Sequence, residues 1–443
     1  MSDFRRPDPP RVLHVLESWR PVPSGYAARS WWIVTGQSLA EISEPAVLVT
    51  SRQSVYDDGP PERPPGIPLD VAEPSVSERR LRGWPAPFGR PFHVDGASLE
   101  RAIVAAADRH EAELVHVHWS SAIGRGAEKA AARLGLPLVA EVRFDLAGAM
   151  GAQTFRGHAA ALERVVRRRF ERHLEGASCV VAASDALAGL LRGAFPDIAA
   201  RLHVVPNGVD AAFLARCDTA RAAERGASSE GWPRQASADG PGRDAATDGA
   251  TLAVRRPTLG TTSKMLRYEN LGALVALCAT RPALDLLFVG DGPERVSLER
   301  LAAPLNAERA GRVRFTGRLP AAEIPARLAD MDLFVVPRTD LAITRYASPI
   351  KVVEAMAAAR PIVATAVGDT CALLADGCGA LVPPDDPAAL GEAVDALVAD
   401  PVGSAAIGER ARARVVRDYE GSALLDRYRA VYERALGAAG SSG

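Results

Sequence analysis

The chain runs to 443 residues, enough for two or three domains that each bury a core. Its 53 Lys and Arg residues almost balance 54 Asp and Glu, so no basic excess supports nucleic-acid binding. No apolar run is long enough to span a bilayer.

Five cysteines (Cys179, Cys217, Cys278, Cys371, Cys378) are an odd number without metal-type spacing. Reduced thiols in a cytoplasmic protein are the expectation. The start, Met1 to Pro10, is polar and proline-rich, unlike a secretory signal. Arg11 to Leu16 reads as the first buried strand. A loop with Gly25 and a helix carrying Trp31, Trp32, Val34 and Leu39 follow. Strand, glycine-bearing loop and helix open a Rossmann-like unit. Ala46 to Thr50 is a second strand, and the stretch to Ser77 is mostly loop. Glu78 to Arg90 mixes arginines with Trp84 and Phe88. It reads as a solvated loop with aromatic anchors, or as a patch for an anionic membrane surface or a glycan.

An amphipathic helix around Arg101 to Ala106 leads to an alternating strand, Glu113 to Trp119. A helix from Ile123 to Leu134 leads to the next strand, Gly135 to Arg143. This rhythm predicts a parallel sheet with helices on both faces. Ligands of such sheets sit beyond the carboxyl ends of the strands, where His118, Trp119, Glu141 and Arg143 fall. His116 and His118 point the same way from a strand. With no third ligand nearby in sequence, they predict packed or hydrogen-bonded rings rather than a metal site. Arg143 and Glu141 are either a phosphate-stabilising cation with its support or a buried ion pair. Leu162 to Leu174 is a basic helix, a solvated face or an approach to anionic lipid. A strand from Leu202 ends in the sharp turn Pro206-Asn207-Gly208-Val209-Asp210. From about Asp218 to Ala250 the composition loses apolar period, which predicts a flexible linker.

In the second half, Arg256 to Lys264 is strand and loop, with Gly260 and Ser263. Met265 to Leu271, with Arg267, leads into a helix. Leu286 to Glu294 is strand and turn, with Gly290 and Gly292. Val313 to Pro320, with Arg318, and Asp332 to Arg338 add further strands. Arg345 to Thr365 reads as loop, helix, turn, strand. Ser348 is the expected N-cap and Pro349 the first helical residue, followed by Ile350 and Lys351. The helix start suits a phosphate. Glu354, about a turn and a half inside, offers a carboxylate to both hydroxyls of a ribose diol. From Pro387 the chain is helical.

The segment from Ser348 to Ala357, followed by Arg360 to Asp369, resembles the donor-binding helix of glycosyltransferase family 4, the retaining GT-B enzymes. The strings around Gly25, Pro206 to Asp210, and Gly290 to Pro293 also resemble that family, in its order. The resemblance implies an α/β GT-B fold of two Rossmann-like doubly wound domains facing a cleft. Residues 1–212 would bind the acceptor, 213–252 would be the linker, 253–420 would bind the nucleotide-sugar, and 421–443 would carry a helix crossing back. It implies transfer from an NDP-sugar (UDP or GDP) to a hydroxyl of a glycan or lipid-linked saccharide, with no metal or other cofactor. Donor contacts would fall on Gly25, Gly260, Ser263, Gly290, Gly292, Arg318, Ser348, Pro349, Ile350, Lys351 and Glu354. Lys264, Arg267 and Glu354 would carry catalysis, the two cations by neutralising the leaving diphosphate. His118, Trp119, Glu141 and Arg143 would line the acceptor side. Implied partners are the donor, the acceptor and a peripheral contact with the inner membrane face, but no nucleic acid. The chain departs from the family at Ser263-Lys264, where many members carry Gly-Arg, and at Glu269-Asn270, where they carry Lys-Gly. Arg345-Tyr346 stands where many have an acidic residue. These departures keep open a nucleotide-sugar epimerase of the same architecture and a silent nucleotide-sugar-binding subunit.

Overall fold

The computed structural model describes residues 8–17, 19–21, 25–50, 60–72, 96–118, 121–143, 172–226 and 256–440. The chain forms two compact units. One holds Met1–Asp210, Arg345–Ser348 and Glu420–Gly443; the other holds Ala211–Thr344 and Pro349–Tyr419.

The first unit contains a seven-stranded sheet: β1 (Arg11–Leu16), β2 (Glu44–Val49), β3 (Leu69–Val71), β4 (Leu114–His118), β5 (Leu138–Val142), β6 (Cys179–Ala182) and β7 (Leu202–Val204). All pairs are parallel, in the order β3-β2-β1-β4-β5-β6-β7. The two-residue period of a strand divides the side chains. Leu13, Val15, Val115, Val117 and Ala140 pack with Leu99, Ile103, Ile123 and Leu187 of three helices, Gly96–Arg109, Ser121–Leu134 and Asp185–Ala194. Val12, Leu114, Val139 and Val181 pack with Ile33 of the helix Gly25–Leu39 and with Leu424, Tyr428 and Tyr432 of the helix Gly421–Gly440. Burial on both faces is why these strands read as apolar runs. The short edge strand β3 lies in a stretch expected to be loop.

The second unit contains six parallel strands: β8 (Thr258–Ser263), β9 (Asp285–Gly290), β10 (Val313–Phe315), β11 (Leu333–Val336), β12 (Ile362–Thr365) and β13 (Ala380–Val382). Their order is β10-β9-β8-β11-β12-β13. The chain reverses direction across the sheet between β8 and β11. In such sheets that reversal opens a crevice beyond the carboxyl ends of the two strands.

The helix Ala211–Gly226 belongs to this second unit, so the first part of the expected 213–252 linker is folded. Phe213, Leu214 and Cys217 are buried. Three of its charged residues, Asp218, Arg221 and Glu224, are paired. Arg360 donates to both oxygens of Glu224 at 3.0 and 2.8 Å, Arg412 donates to Asp218 at 2.6 Å, and Arg221 pairs with Glu409. Residues 227–255 lie outside the described residues, as do 78–90 and most of the arginine-rich 162–174 segment. None of the five cysteines is in a disulfide.

The helix expected to hold the donor spans Ile350–Ala357 and starts one residue later than the sequence suggests. Pro349 is its N-cap, no side chain caps it, and Ser348 stands outside. A short helix, Ala342–Tyr346, precedes it where loop was expected. The helix closes with Ala359 at φ +53°, while Arg360 N bonds Ala355 O at 3.0 Å and Ala359 N bonds Met356 O at 2.9 Å. These are the two bonds of a Schellman ending. Gly408, in the helix Pro401–Asp418, rides against this ending; a Cβ there would lie 2.1 Å from Ala359 O. Gly408→Ala gains up to about 1 kcal/mol of helix propensity. Overpacking against backbone costs about 1–3 kcal/mol, so the expected result is a lower denaturation midpoint. A midpoint at or above wild type would show that the two helices separate freely.

Candidate functional site

At the crevice of the second unit, the loops after β8 and β11 are pinned together. Thr339 donates to Tyr268 O through its N at 3.1 Å and its Oγ1 at 3.2 Å. Arg338, just past β11, donates to Glu269 Oε1 through Nη2 at 3.0 Å and to Oε2 through Nε at 3.3 Å. Lys351, in the first turn of Ile350–Ala357, donates through Nζ to Glu269 Oε2 at 2.5 Å. Glu269, Arg338 and Lys351 are 4%, 8% and 8% exposed. Burial pushes the Glu269 carboxyl up, but Lys351 and Arg338 outweigh it and hold the group at about 2. Burial pulls the Lys351 ammonium below its ordinary range, and Glu269 resists that.

Glu354 lies one helical turn beyond Lys351. It is half-buried, and its carboxyl takes no hydrogen bond from any described residue. Burial raises it to about 7, with Lys351 pulling the other way. A carboxyl desolvated without a donor is costly, and vicinal hydroxyls would supply two donors.

The other residues expected at the donor have different surroundings. Lys264 and Arg267 are exposed in the loop after β8. Ser263 Oγ accepts from Met265 N at 3.0 Å. Gly290, at φ +121°, and Gly292 do permit a close approach, but to the chain itself. A Cβ on them would lie 2.0 Å from Ser263 O and 1.6 Å from Lys264 O. Gly260 is buried within β8 against the Met331 side chain, where a Cβ would come within 2.3 Å. Its smallness serves packing against that side chain. Arg318 is exposed beyond β10. Gly25 opens the first helix of the other unit. Arg338 was not foreseen. Its signal was available, because it is a cation at the end of the apolar run Leu333 to Pro337.

In the first unit, strand register sets His14 beside His116 and His118 beside Glu141. His118 and Glu141 are fully buried and Arg143 is 7% exposed. Arg143 donates to Glu141 Oε1 at 2.6 Å, Tyr26 O at 2.8 Å, Ser30 Oγ at 2.9 Å and His118 Nδ1. Arg29 donates to the same Glu141 Oε1 at 2.9 Å and to Val205 O and Pro206 O at 2.7 and 2.6 Å. That ties down the start of the Pro-Asn-Gly turn. Tyr428 OH donates to Glu141 Oε2 at 2.6 Å. The buried-ion-pair alternative therefore describes Glu141 and Arg143. The partners Arg29 and Tyr428 were missed, although Tyr428 and Tyr432 stand at i and i+4 in an apolar stripe. Trp119 lies outside the described residues.

Ring nitrogens of His14, His116 and His118 lie within 4.8 Å of one another. Burial lowers all three pKa values, which favours the neutral rings. An arginine only donates, so His118 accepts at Nδ1 and donates from Nε2 to His14 Nδ1 at 2.8 Å. His116 Nδ1 bonds Tyr432 OH at 2.8 Å. A divalent cation would break the His14–His118 bond beside the Arg143 guanidinium. The donor set suits a hydrogen-bonded stack better than a metal centre.

Residues 257–400 match the family model described as Glycosyl transferases group 1, and residues 55–213 match Glycosyltransferase Family 4. One relative is the lipopolysaccharide core biosynthesis glycosyltransferase LpsE of Rhizobium meliloti. It is 28% identical over 219 residues, 48% of this chain and 62% of the relative. Another is a GDP-mannose-dependent alpha-(1-6)-phosphatidylinositol monomannoside mannosyltransferase of Mycolicibacterium smegmatis, 37% identical over 143 residues, 32% of this chain and 37% of the relative. The chain thus spans roughly half the length of the curated relatives it matches. Among solved structures, sucrose-phosphate synthase from Thermosynechococcus elongatus superposes with a TM-score of 0.71, covering 97% of this chain and 100% of that one at 17% identity. Anabaena HepE in complex with UDP-glucose gives 0.65, 96%, 98% and 18%. At such identities the likeness shows the fold, which is GT-B.

Glu141 offers a test that needs no ligand. Glu141→Gln leaves two buried guanidiniums without their counter-charge, and an orphaned buried ion costs about 3–5 kcal/mol. Urea denaturation should show a loss of that size. A loss under about 1 kcal/mol, the scale of a surface pair, would mean that other acceptors already satisfy Arg29 and Arg143.

Proposed function

This chain belongs to glycosyltransferase family 4, and from that membership we propose that it moves a sugar from a nucleotide-sugar to a hydroxyl of a glycan or glycolipid acceptor. The observation that carries the donor site is Glu354, a half-buried carboxyl without a hydrogen-bond partner among the described residues. It sits one turn beyond the start of a helix whose first N–H groups have no carbonyl within the helix. The ribose diol would satisfy Glu354, and the diphosphate would meet the helix start with Lys351, Arg338 and Lys264. In the proposed reaction the bond from the sugar to the diphosphate breaks and a bond to the acceptor oxygen forms on the same face. The acceptor proton passes to the leaving phosphate. The protein positions the two partners and stabilises charge. Lysine and arginine would supply the neutralisation, so no metal or other cofactor is required.

Similar proteins favour two donors: UDP-glucose, bound in the HepE complex, and GDP-mannose, named for the mycobacterial enzyme. Lipopolysaccharide core and phosphatidylinositol monomannoside, in the names of two relatives, favour a membrane-anchored acceptor. No described helix is long and apolar enough to cross a membrane, and the contact proposed with the inner face is a peripheral one.

Calorimetry with UDP- and GDP-sugars tests the site. Each hydrogen bond to a charged acceptor is worth about 1.5–3 kcal/mol, so Glu354→Ala should weaken donor binding about tenfold or more. Unchanged affinity would remove Glu354 from the site. Incubating the bound donor with and without acceptors separates transferase, epimerase and silent binder.

The pH dependence has a definite sign. The carboxyl is neutral below about 7, so donor affinity should rise as pH increases through about 7 and stay flat in Glu354→Gln. The free protein behaves oppositely. Its raised carboxyl disfavours ionisation, so this group's contribution to stability falls as pH rises from 4.5 towards about 7. A donor affinity that falls over the same interval would contradict the ionised role.

A further inference from the structure

We propose that Glu269 is a positioning residue that holds the Lys351 ammonium and the Arg338 guanidinium together, both charged, for the phosphates of a nucleoside diphosphate. The inference rests on the donor-site reading above and deepens it.

A carboxylate in a phosphate crevice would repel the ligand, so its presence there needs a reason. The geometry gives one. Glu269 accepts from Lys351 with Oε2 and from Arg338 with both oxygens, which brings two cations against one anion in a buried place. Without that bridge the two like charges would face each other in low dielectric. Arginine does not lose its proton in proteins, so lysine would be the one to neutralise. The charged groups acting on Lys351 are Glu269 and Arg338 from the loops after β8 and β11, and Glu354 from its own helix. Glu354, one turn away, acts on Lys351 but makes no hydrogen bond to the cluster. Within the hydrogen-bonded cluster itself, one carboxylate against two cations leaves one positive charge over. That excess sits at the sheet reversal between β8 and β11, where the Thr339–Tyr268 bonds fix the two loops. A buried excess charge is costly alone and is relieved by an anion.

The test measures the Kd of UDP and of GDP by calorimetry from about pH 7.5 to about pH 9.5. Each profile is read as its ratio to wild type at the same pH, which cancels the ionisation of the nucleotide base near the alkaline end. Glu269→Gln should lose affinity about tenfold towards the alkaline end, the worth of one charged hydrogen bond. Adding Lys351→Arg to Glu269→Gln should restore a flat ratio, which a merely structural brace would not predict. A folded Glu269→Gln with the wild-type profile would overturn the inference and leave the donor site standing. Wild type that binds neither UDP nor GDP would overturn both. Should Glu269→Gln fail to fold, Lys351→Met keeps Glu269 and Arg338 as a neutral pair. That variant should bind about tenfold more weakly; wild-type affinity in it would overturn the proposal.

Discussion

In each unit one buried glutamate is shared by two cations, and the surrounding loops are arranged around it. Glu141 stands between Arg29 and Arg143 in the first unit, and Glu269 between Arg338 and Lys351 in the second. A carboxylate leaves water only if strong donors replace the solvent it loses. Both glutamates lie at or beyond the carboxyl end of a strand, where backbone from several elements converges. Each therefore joins segments far apart in the chain. Glu141 collects the first helix, the fifth strand and the terminal helix. Glu269 collects the loops after β8 and β11 and the helix Ile350–Ala357.

The two clusters differ in what they leave open. The first is buried within protein: His118, Glu141, Tyr428 and Tyr432 are fully buried, and each nitrogen of the Arg143 guanidinium has a protein acceptor. Even so, His14 Nε2, His116 Nε2 and Gln37 Nε2 have no hydrogen-bond partner among the described residues. It reads as scaffold. The second keeps one carboxyl, that of Glu354, at the edge of the buried region and without a donor. The charged groups of the first cluster are enclosed by protein partners, whereas Glu354, one helical turn from Lys351 in the second, is only half-buried and takes no donor from a described residue.

Much of this was legible in the sequence because its causes are local. Strands buried on both faces leave short apolar runs, and these placed β1, β4, β8 and β11 within a residue or two. β5 starts three residues later than expected, and the Leu286 to Glu294 stretch runs four residues past the end of β9. Pro349, the run of helix formers and Arg360-Pro361 marked the helix Ile350–Ala357, and its spacing pointed to Glu354. What was missed depends on distance. Glu269 meets Arg338 and Lys351 across 69 and 82 positions, and Arg29 meets Glu141 across 112. No local pattern announces such pairs. The helix Ala211–Gly226 looked like linker because three of its charges are matched by Arg360, Arg412 and Glu409, which stand far along the chain. Gly260, Gly290 and Gly292 show the converse. Glycine marks a close approach but does not say what approaches, and here it is Met331 and the loop after β8.

The helix Gly421–Gly440 fills one face of the first unit with Leu424, Leu425, Tyr428, Val431, Tyr432 and Ala435. During synthesis the second unit, which ends at Tyr419, is translated in full before that helix emerges. Domains generally fold in the order in which they leave the ribosome. Here the unit begun first is completed last. Until then Val12, Leu114, Val139 and Val181 lack the apolar cover that the finished molecule gives them. The nascent N-terminal sheet, whose last strand ends at Val204, thus keeps one apolar face incompletely covered while the whole second unit is made.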